Sequence, residues 1–214
     1  MLSQTEDTCR METPISPSRE VVFTSIVASE GTHGGVCCDI HGDCVIKYFD
    51  VVDNEEDEFG MTPKRYFENE INAYKLLNNV KYTTPDGRDL FLTPQCLEIG
   101  ENYMIFEKYE TSLYNVLCEK RCDVLKQIRT YVDPILKKLD ELRICHNDVA
   151  FRNFVLDYDL NRCAIIDFAM SSPYDNRCHI GENYEGSLIL YLTGSLELYD
   201  MYPSTRAIEL CIIN

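Results

Sequence analysis

Residues 144–157 read ICHNDVAFRNFVLD, and residues 163–169 read CAIIDFA. Polar side chains interrupt apolar runs in both segments, a pattern typical of loops that a rigid scaffold presents to a ligand. Asp148 is followed five positions later by Asn153, and Asp167 ends the next apolar run. A β-hairpin between Asn153 and Asp167 would bring all three side chains to one end of a small sheet. Three oxygen-bearing side chains in that arrangement predict a Mg²⁺ site with room for phosphate oxygens.

The length and charge of the chain limit its organisation and its partners. Its 214 residues are enough for one core, or for two small lobes that share a cleft. Lys and Arg number 20 against 36 Asp and Glu, and the net charge of −16 repels nucleic acid and anionic membranes. We therefore expect neither nucleic acid nor a membrane as a partner.

The sequence shows neither the pattern of a secretory signal nor that of a membrane-spanning helix. Residues 1–17 contain Glu6, Asp7 and Glu12 and have no apolar core segment, unlike a secretory signal. No later segment has the roughly 18 consecutive apolar residues that a membrane-spanning helix needs. We expect an intracellular protein, cytoplasmic or nuclear, in which the 11 cysteines are reduced.

The first half of the chain is rich in strand candidates. Residues 1–19 are polar and predict a flexible arm. Runs of β-branched and aromatic residues at 21–27, 43–49 and 103–107 predict strands. Between the last two, Pro63 opens a helix whose apolar residues recur at three- and four-residue spacing.

The second half is mainly helical. Residues 108–112 are polar and predict a connector. Helical patterns follow at 113–117 and 124–142, and Pro134 is expected to kink the longer one. The sequence therefore predicts an α+β fold of two lobes, a small β-rich N-lobe (20–108) and a helical C-lobe (109–214).

Two charged residues of the first half lie within or beside apolar patterns. Lys47 interrupts an apolar run, and because an unpaired ammonium is costly to bury, it needs a counter-charge. Glu70 lies beside the apolar stripe of the helix that begins at Pro63. We predict an ion pair between Lys47 and Glu70, although Glu70 as a surface residue would need no partner.

Two further patterns allow more than one interpretation. Residues 29–36 read SEGTHGGV, whose glycines would let backbone amides approach a phosphate, but a plain hairpin turn fits equally well. Cys37, Cys38, His41 and Cys44 have the residue types of a zinc site. Structural zinc sites usually take their ligands from two separated pairs, so packed strand and turn residues are favoured over a metal here.

Taken in order, these motifs resemble those of the protein-kinase-like superfamily, from Ser29 through Phe168. The matching motifs are SEGTHGGV (29–36) for the glycine-rich loop, VIK (45–47) for the phosphate-contacting lysine, Glu70 for its helix partner, HND (146–148) with Asn153 for the catalytic loop, and DFA (167–169) for the metal-binding triplet. The amino-acid sequences of the last two motifs most resemble those of small, divergent kinase-like proteins of filamentous fungi.

The resemblance implies ATP and Mg²⁺ as ligands and assigns roles to individual residues. The nucleotide would be bound by Ser29, Gly31, Gly34, Val36, Lys47, Phe106, Glu107 and Tyr109. Glu70 would orient Lys47, and Mg²⁺ would be held by Asp167 and Asn153. Asp148 would accept or orient the proton of the acceptor hydroxyl, with His146 as a structural brace.

The chain also departs from the family pattern. Asn147 replaces an arginine that senses a phosphorylated loop in many members, and Ala169 replaces the last glycine of the metal-binding triplet. Ala150 replaces the lysine usual in serine/threonine kinases, while Arg152 stands where tyrosine kinases often carry arginine. Few residues follow Asp167 and no Ala-Pro-Glu motif is present, so the expected C-lobe is shortened.

The function implied is transfer of the γ-phosphate of Mg-ATP to a protein hydroxyl, with serine or threonine expected. Two alternatives stay open. The shortened C-lobe and the missing first glycine of the loop would suit a pseudokinase-like nucleotide-binding decoy. Small-molecule kinases of the aminoglycoside or choline type share similar His-x-Asp-x₄-Asn and Ile-Asp-Phe stretches, and the sequence does not name the acceptor.

Overall fold

The computed structural model describes residues 23–31, 34–39, 42–51, 55–57 and 59–173. Over these ranges the chain is a mixed α and β protein with small antiparallel sheets and few helices, which confirms the α+β prediction. The predicted arm at residues 1–19 and the end of the predicted C-lobe lie outside the described residues. The division into two lobes stays a prediction.

The described residues form the following elements in chain order. The strands are β1 (Phe23–Gly31), β2 (Gly34–Asp39), β3 (Cys44–Phe49), β4 (Lys81–Thr83), β5 (Asp89–Phe91), β6 (Cys96–Ile99), β7 (Tyr103–Glu107), β8 (Thr111–Ser112), β9 (Ile144–Cys145), β10 (Phe154–Leu156), β11 (Cys163–Ile165) and β12 (Ser172–Pro173). The helices are α1 (Pro63–Leu77), α2 (Leu113–Cys118), α3 (Cys122–Leu125) and α4 (Arg129–Glu141), and a 3₁₀ turn covers Phe151–Asn153. Within this part of the chain, no helix combines the length and apolar character that crossing a bilayer requires.

The largest sheet has five strands in the order β1-β2-β3-β7-β6. β3 is its central strand and pairs antiparallel with β2 and β7. Lys47 of β3 lies opposite Val36 on one side and opposite Met104 on the other. The strands predicted at 43–49 and 103–107 are therefore confirmed, and the lysine lies in the middle of the sheet.

Helix α1 has one buried face. Thr62 caps its start by accepting a backbone N–H of the first turn at 3.3 Å, and Pro63 follows where its missing N–H costs nothing. The buried face carries aromatic residues, of which Phe67 lies 4.9 Å from Phe49 of β3 between ring centroids. Glu70 is on the same face, so the helix carries a carboxylate into the interior.

A hairpin of β4 and β5 joins the first part of the chain to the second. Its turn covers residues 84–87, where the Gly87 N–H donates to the carbonyl of Thr84 at 2.9 Å. Tyr82 is buried and donates its hydroxyl to the carbonyl of Cys163 at 2.8 Å. The Ile165 N–H donates to the carbonyl of Leu92 at 3.0 Å. Both hydrogen bonds attach the hairpin to β11.

The long helix predicted at residues 124–142 is wrong in one respect, because the structure divides it into α3 and α4. Between them the Gln127 N–H bonds to the carbonyl of Val124 at 3.0 Å, a three-residue step that is tighter than an α-helix. Pro134 lies inside α4 and does not end it. The apolar period was correct about the buried face, but it did not reveal the turn at residues 126–128.

The remaining strands form small sheets around the segments quoted at the outset. β10 pairs antiparallel with β11 and also with β8, in the order β11-β10-β8. β9 pairs with β12, which brings the start of the first segment beside residues that follow the second. One cluster of buried apolar side chains includes residues of α1, β7, α2, α4, β10 and β11.

Candidate functional site

Lys47 lies between two carboxylates from distant parts of the chain. Its Nζ lies 3.1 Å from Oε2 of Glu70 on α1 and 2.7 Å from Oδ1 of Asp167, which follows β11. The ion pair of Lys47 and Glu70 predicted from the sequence is confirmed. The contact with Asp167 was not predicted, and it joins the five-stranded sheet to the end of the β10–β11 hairpin.

Burial and charge affect the pKa values of these groups in different directions. Glu70 is 1% exposed, and burial raises its pKa to about 7 although Lys47 acts to lower it. Burial alone would lower the pKa of Lys47, but the charges of Glu70 and Asp167 outweigh it and raise that pKa. Burial opposes ionisation of Asp167 too, yet Lys47 holds its pKa below the ordinary value. Near neutral pH, Lys47 and Asp167 are charged, and Glu70 is the group that titrates.

The carboxylate of Asp148 is held by two neighbours on the loop between β9 and β10. Nη2 of Arg152 lies 2.8 Å from its Oδ1 and 2.7 Å from its Oδ2. Nδ2 of Asn153 donates to Oδ2 at 2.9 Å and to the backbone carbonyl of Asp148 at 2.8 Å. The structure therefore brings Asp148 and Asn153 together and adds Arg152, whose side chain is 63% exposed.

The β10–β11 hairpin places Asn153 beside the segment that carries Asp167. Phe154 and Ile165 are paired residues of the two strands. The next residue, Ile166, donates its N–H to the carbonyl of Asn153 at 2.8 Å. Asn153 and Asp167 thus lie at the same end of the small sheet, which confirms the hairpin predicted from the sequence.

His146 is fully buried and connects the two loops through both ring nitrogens. Its Nε2 lies 2.9 Å from the carbonyl oxygen of Ile166, and its Nδ1 accepts the backbone N–H of Asp148 at 3.3 Å. These partners assign the proton to Nε2 of a neutral ring, since Nδ1 acts as an acceptor. Burial lowers the pKa of His146, in agreement with a neutral ring. His146 is the structural brace that the sequence predicted.

The left-handed backbone conformation, which non-glycine residues adopt at a cost, occurs at Asp167 in the site and at Asn147 next to Asp148. Asn147 has a φ of 62° and Asp167 a φ of 69°. The Nδ2 of Asn147 donates to the Met170 carbonyl at 2.9 Å and to Oγ of Ser172 at 3.1 Å. The segments before Asp148 and after Asp167 are therefore bonded to each other, and this contact supports both strained positions.

Helix α1 also contacts the segment that follows β11. Nδ2 of Asn69 donates to the carbonyl of Ala169 at 3.0 Å. The ring of Phe168 is buried and lies 5.9 Å from Tyr74 of α1 and 4.8 Å from His146, between ring centroids. The helix, this segment and the loop that carries His146 thus pack as one unit.

A cavity of about 170 Å³ opens beside Lys47 and its two carboxylates. The lining residues are Val36, Val45, Lys47, Glu70, Tyr74, Pro94, Phe106, Glu107, Tyr109, Thr111, Val155, Ile166 and Asp167. The sequence-predicted Val36, Phe106, Glu107 and Tyr109 therefore surround the same cavity as Lys47. Lys47, Glu70 and Asp167 form the charged end of the cavity, and Glu107 lies three positions away along the paired strands β3 and β7. Mostly apolar walls with a few charged groups are typical of small-molecule sites.

The other predicted nucleotide contacts lie in the β1–β2 hairpin. Gly31 is opposite Gly34 and Ser29 is opposite Val36 in the antiparallel pairing. Residues 32 and 33 lie outside the described residues. The hairpin that the sequence allowed is present, and contact of Ser29, Gly31 or Gly34 with a phosphate stays a prediction.

The cysteine-rich segment forms part of the same sheet. Cys37 and Cys38 lie in β2, and Cys44 is the first residue of β3. His41 lies outside the described residues. The strand positions of the cysteines agree with the interpretation as packed strand residues, and the absence of zinc stays a prediction.

Sequence reasoning missed several residues of the site, among them Tyr74, Asn69 and Arg162. Tyr74 lines the cavity, but its spacing marked it only as part of an apolar stripe. Asn69 bonds to Ala169 from a helix position that no motif distinguishes. Arg162 contacts Glu107 at the edge of the cavity, with Nη1 2.5 Å from Oε1. Its only signal was a polar turn, which is usual on any protein surface.

Comparison with known proteins assigns no family to the chain. Neither a protein-family model nor a curated protein matches it. The functional argument therefore depends on the positions and chemistry of the residues described above.

Proposed function

We propose that the chain is an ATP-dependent phosphotransferase of the protein-kinase-like superfamily, a protein kinase acting on serine or threonine hydroxyls. Residues 20–108 would form its N-lobe and residues 109–214 its C-lobe. One observation carries the proposal: Lys47 contacts Glu70 and Asp167 at the charged end of an apolar cavity. Phosphoryl transfer requires chiefly positioning and charge stabilisation, which such a group supplies.

The cavity supports binding of a purine nucleotide. Val36 and Val45 belong to the five-stranded sheet, whereas Val155 and Ile166 belong to the β10–β11 hairpin region. A flat base would pack between these apolar side chains. The backbone N–H of Tyr109 has no hydrogen-bond partner among the described residues, and it suits an acceptor nitrogen of the base. The phosphates would extend toward the lysine.

Mg²⁺ fits the side chains at the charged end. Oδ1 of Asp167 contacts Lys47, which leaves Oδ2 for a cation. Nδ2 of Asn153 donates to Asp148, so the amide oxygen is the ligand that Asn153 has to offer. In the described part of the chain no group of three or more His, Cys, Asp or Glu is placed to hold a metal. Mg²⁺ does not require one, because it usually takes one or two carboxylates together with water and substrate phosphates. When bound, it would neutralise charge on the phosphates.

Asp148 would orient the acceptor hydroxyl and accept its proton. Its side chain is 25% exposed, so an acceptor can reach it from solvent. The acceptor must share the carboxylate with Arg152 or displace it. Exposed ion pairs contribute about 0–1 kcal/mol, so displacing Arg152 costs little.

The same contact favours a second candidate, a nucleotide-binding protein that does not transfer phosphate. Arg152 and Asn153 together contact both oxygens of Asp148. If Arg152 stays in place when nucleotide binds, its side chain obstructs the approach of an acceptor hydroxyl to Asp148. This candidate shares the cavity and the Mg²⁺ ligands with the first and differs only in turnover.

An ATP turnover assay on the full chain, combined with thermal unfolding in Mg-ATP, separates these candidates. Asp148→Asn should keep the Mg-ATP thermal shift and lose a factor of roughly 10²–10⁴ in transfer, the usual contribution of a general base. Asp123→Asn is the control, because Asp123 is 64% exposed and pairs with Arg121 away from the cavity.

Each outcome has a distinct meaning. Wild-type protein that binds Mg-ATP but transfers phosphate to no acceptor supports the second candidate. Transfer to an aminoglycoside or to choline, but not to protein, would identify a small-molecule kinase. Wild-type protein that binds no nucleotide would refute both candidates.

A further inference from the structure

Arg162 joins the segment that follows β7 to the turn between β10 and β11. Its Nε lies 2.5 Å from Oδ2 of Asp157, and its Nη2 lies 3.0 Å from Oδ1 of the same carboxylate. On the other side, Nη1 lies 2.5 Å from Oε1 of Glu107, and Nη2 donates to the carbonyl of Lys108 at 3.2 Å. The guanidinium carbon lies 4.4 Å from the ring centroid of Tyr109. One side chain therefore contacts three consecutive residues, the last of β7 and the first two of the connector.

These contacts connect residues on two sides of the cavity. Glu107 and Tyr109 line it on the connector side, and Val155 of β10 lines it on the other side. Asp157 directly follows β10, so its position is tied to that strand. Arg162 and Asp157 are not among the lining residues, yet the bonds between them and Glu107 hold the two sides at a set separation.

The charges make Arg162 difficult to replace. Its single guanidinium compensates two carboxylates, and the side chain of Asp157 is only 13% exposed. Among the described residues, neither Glu107 nor Asp157 forms an ion pair with any other Lys or Arg. Without Arg162 the two carboxylates would repel each other, since like charges at short range are unfavourable. The repulsion would displace the start of the connector next to Glu107, whereas its end, β8, stays paired with β10.

We propose that Arg162 is a positioning residue for the base end of the nucleotide, an inference that rests on the proposed function. Arg162 touches neither base nor phosphate, and it acts by fixing the connector at Lys108 and Tyr109 against the β10–β11 turn. Loss of Arg162 should therefore weaken the binding of ATP and that of adenosine by the same factor. Loss of Lys47, which lies at the phosphate end, should weaken the binding of ATP and leave that of adenosine unchanged.

The test measures binding of Mg-ATP and of adenosine to the full chain by calorimetry. For Arg162→Gln we expect about tenfold weaker binding of both ligands, equivalent to about 1.4 kcal/mol. Arg121→Gln is a matched control: Arg121 also pairs with one carboxylate, Asp123 at 2.9 Å, and lies 4.8 Å from the ring of Tyr158, but it contacts no connector residue. Its affinities should stay within twofold of wild type.

A second variant tests the same contact in case Arg162→Gln does not fold. Asp157→Asn removes the anchor of Arg162 on the β10 side without removing a charge from the cavity lining, and it should weaken both ligands in the same direction. The double variant with Arg162→Gln should lose less than the product of the single losses, because both changes break one contact. If transfer is measurable, KM for ATP should rise about tenfold while kcat stays within twofold.

The outcomes separate this inference from the proposed function. If wild type binds nucleotide and both Arg162→Gln and Asp157→Asn bind it within twofold as tightly, the inference alone is overturned. The inference is also overturned if the whole loss of affinity is explained by the unfolded fraction, which circular dichroism measures at the assay temperature. If Arg162→Gln does not fold, the affinities of Asp157→Asn decide between the two results. If wild type binds neither ligand, the proposed function falls and this inference falls with it.

Discussion

Replacing Lys47 by methionine tests the buried ion pair without any ligand. Methionine keeps an unbranched side chain and removes the charge. Glu70 is 1% exposed, and in the variant it loses the ammonium that lies 3.1 Å away and favours its ionised form. Burial already raises the pKa of Glu70 to about 7 in the wild type. We therefore expect this pKa to rise further in Lys47→Met.

The expected loss of stability depends on pH. A folded-state pKa above the ordinary 4.5 stabilises the fold fully below that value, and this contribution is lost as the pH rises through the folded-state pKa. At about pH 5.5 Glu70 is largely protonated in wild type and variant alike, so it adds little to their difference. Above neutral pH, Glu70 of the folded variant stays protonated, because no ammonium is left to stabilise its charge, whereas Glu70 of the unfolded chain is ionised. This difference lowers the free energy of unfolding of the variant by about 1.4 kcal/mol per pH unit. The variant should therefore lose about 1–2 kcal/mol more at pH 8 than at pH 5.5.

Urea unfolding followed by circular dichroism at the two pH values measures this difference. Burial opposes ionisation of Asp167, and Lys47→Met also removes the charge that holds the pKa of Asp167 below the ordinary value, so any pH dependence that Asp167 adds appears in the Glu70→Gln background as well. Glu70→Gln supplies the control background. In that background the extra loss of stability at pH 8 that belongs to residue 70 should disappear, since residue 70 no longer titrates.

Two results would refute the reasoning. Equal destabilisation of Lys47→Met at both pH values would mean that Glu70 does not titrate beside Lys47. An undiminished pH dependence in the Glu70→Gln background would assign the titration to another group. Either result would mean that Glu70 is not the carboxyl that Lys47 keeps ionised.

Two further predictions concern the Mg²⁺ ligand and the hairpin that joins the two parts of the chain. Asp167→Asn should remove most of the Mg²⁺-dependent part of the ATP thermal shift, because a ligand stabilises only the state that binds it; a full shift in this variant would contradict the assignment. Tyr82→Phe should lower the free energy of unfolding by about 1–2 kcal/mol, because it removes a buried hydrogen bond of 2.8 Å to the Cys163 carbonyl. Tyr114→Phe, at a side chain that is 49% exposed, is its control in urea unfolding and should change stability by less than about 0.5 kcal/mol.

Much of the fold followed from local sequence patterns. The strand Tyr103–Glu107 has the predicted bounds, and α1 begins at the predicted Pro63. Apolar periodicity indicates which face of an element is buried, and a proline or a capping threonine indicates where a helix begins. The same patterns failed at residues 126–128, because a tight turn that keeps the apolar face inward leaves the periodicity unchanged.

Some contacts of the site could likewise be predicted from the sequence, and others could not. Lys47 and Glu70 were paired from sequence because a lysine in a buried strand requires a nearby acid, and Glu70 lies beside the apolar stripe of the helix that begins at Pro63. Asn153 and Asp167 were brought together by the spacing of one hairpin. The contact of Arg152 with Asp148 and that of Arg162 with Glu107 and Asp157 were decided only by tertiary structure. A surface arginine has many carboxylates within reach in this acidic chain, and only the path of the folded backbone selects its partner.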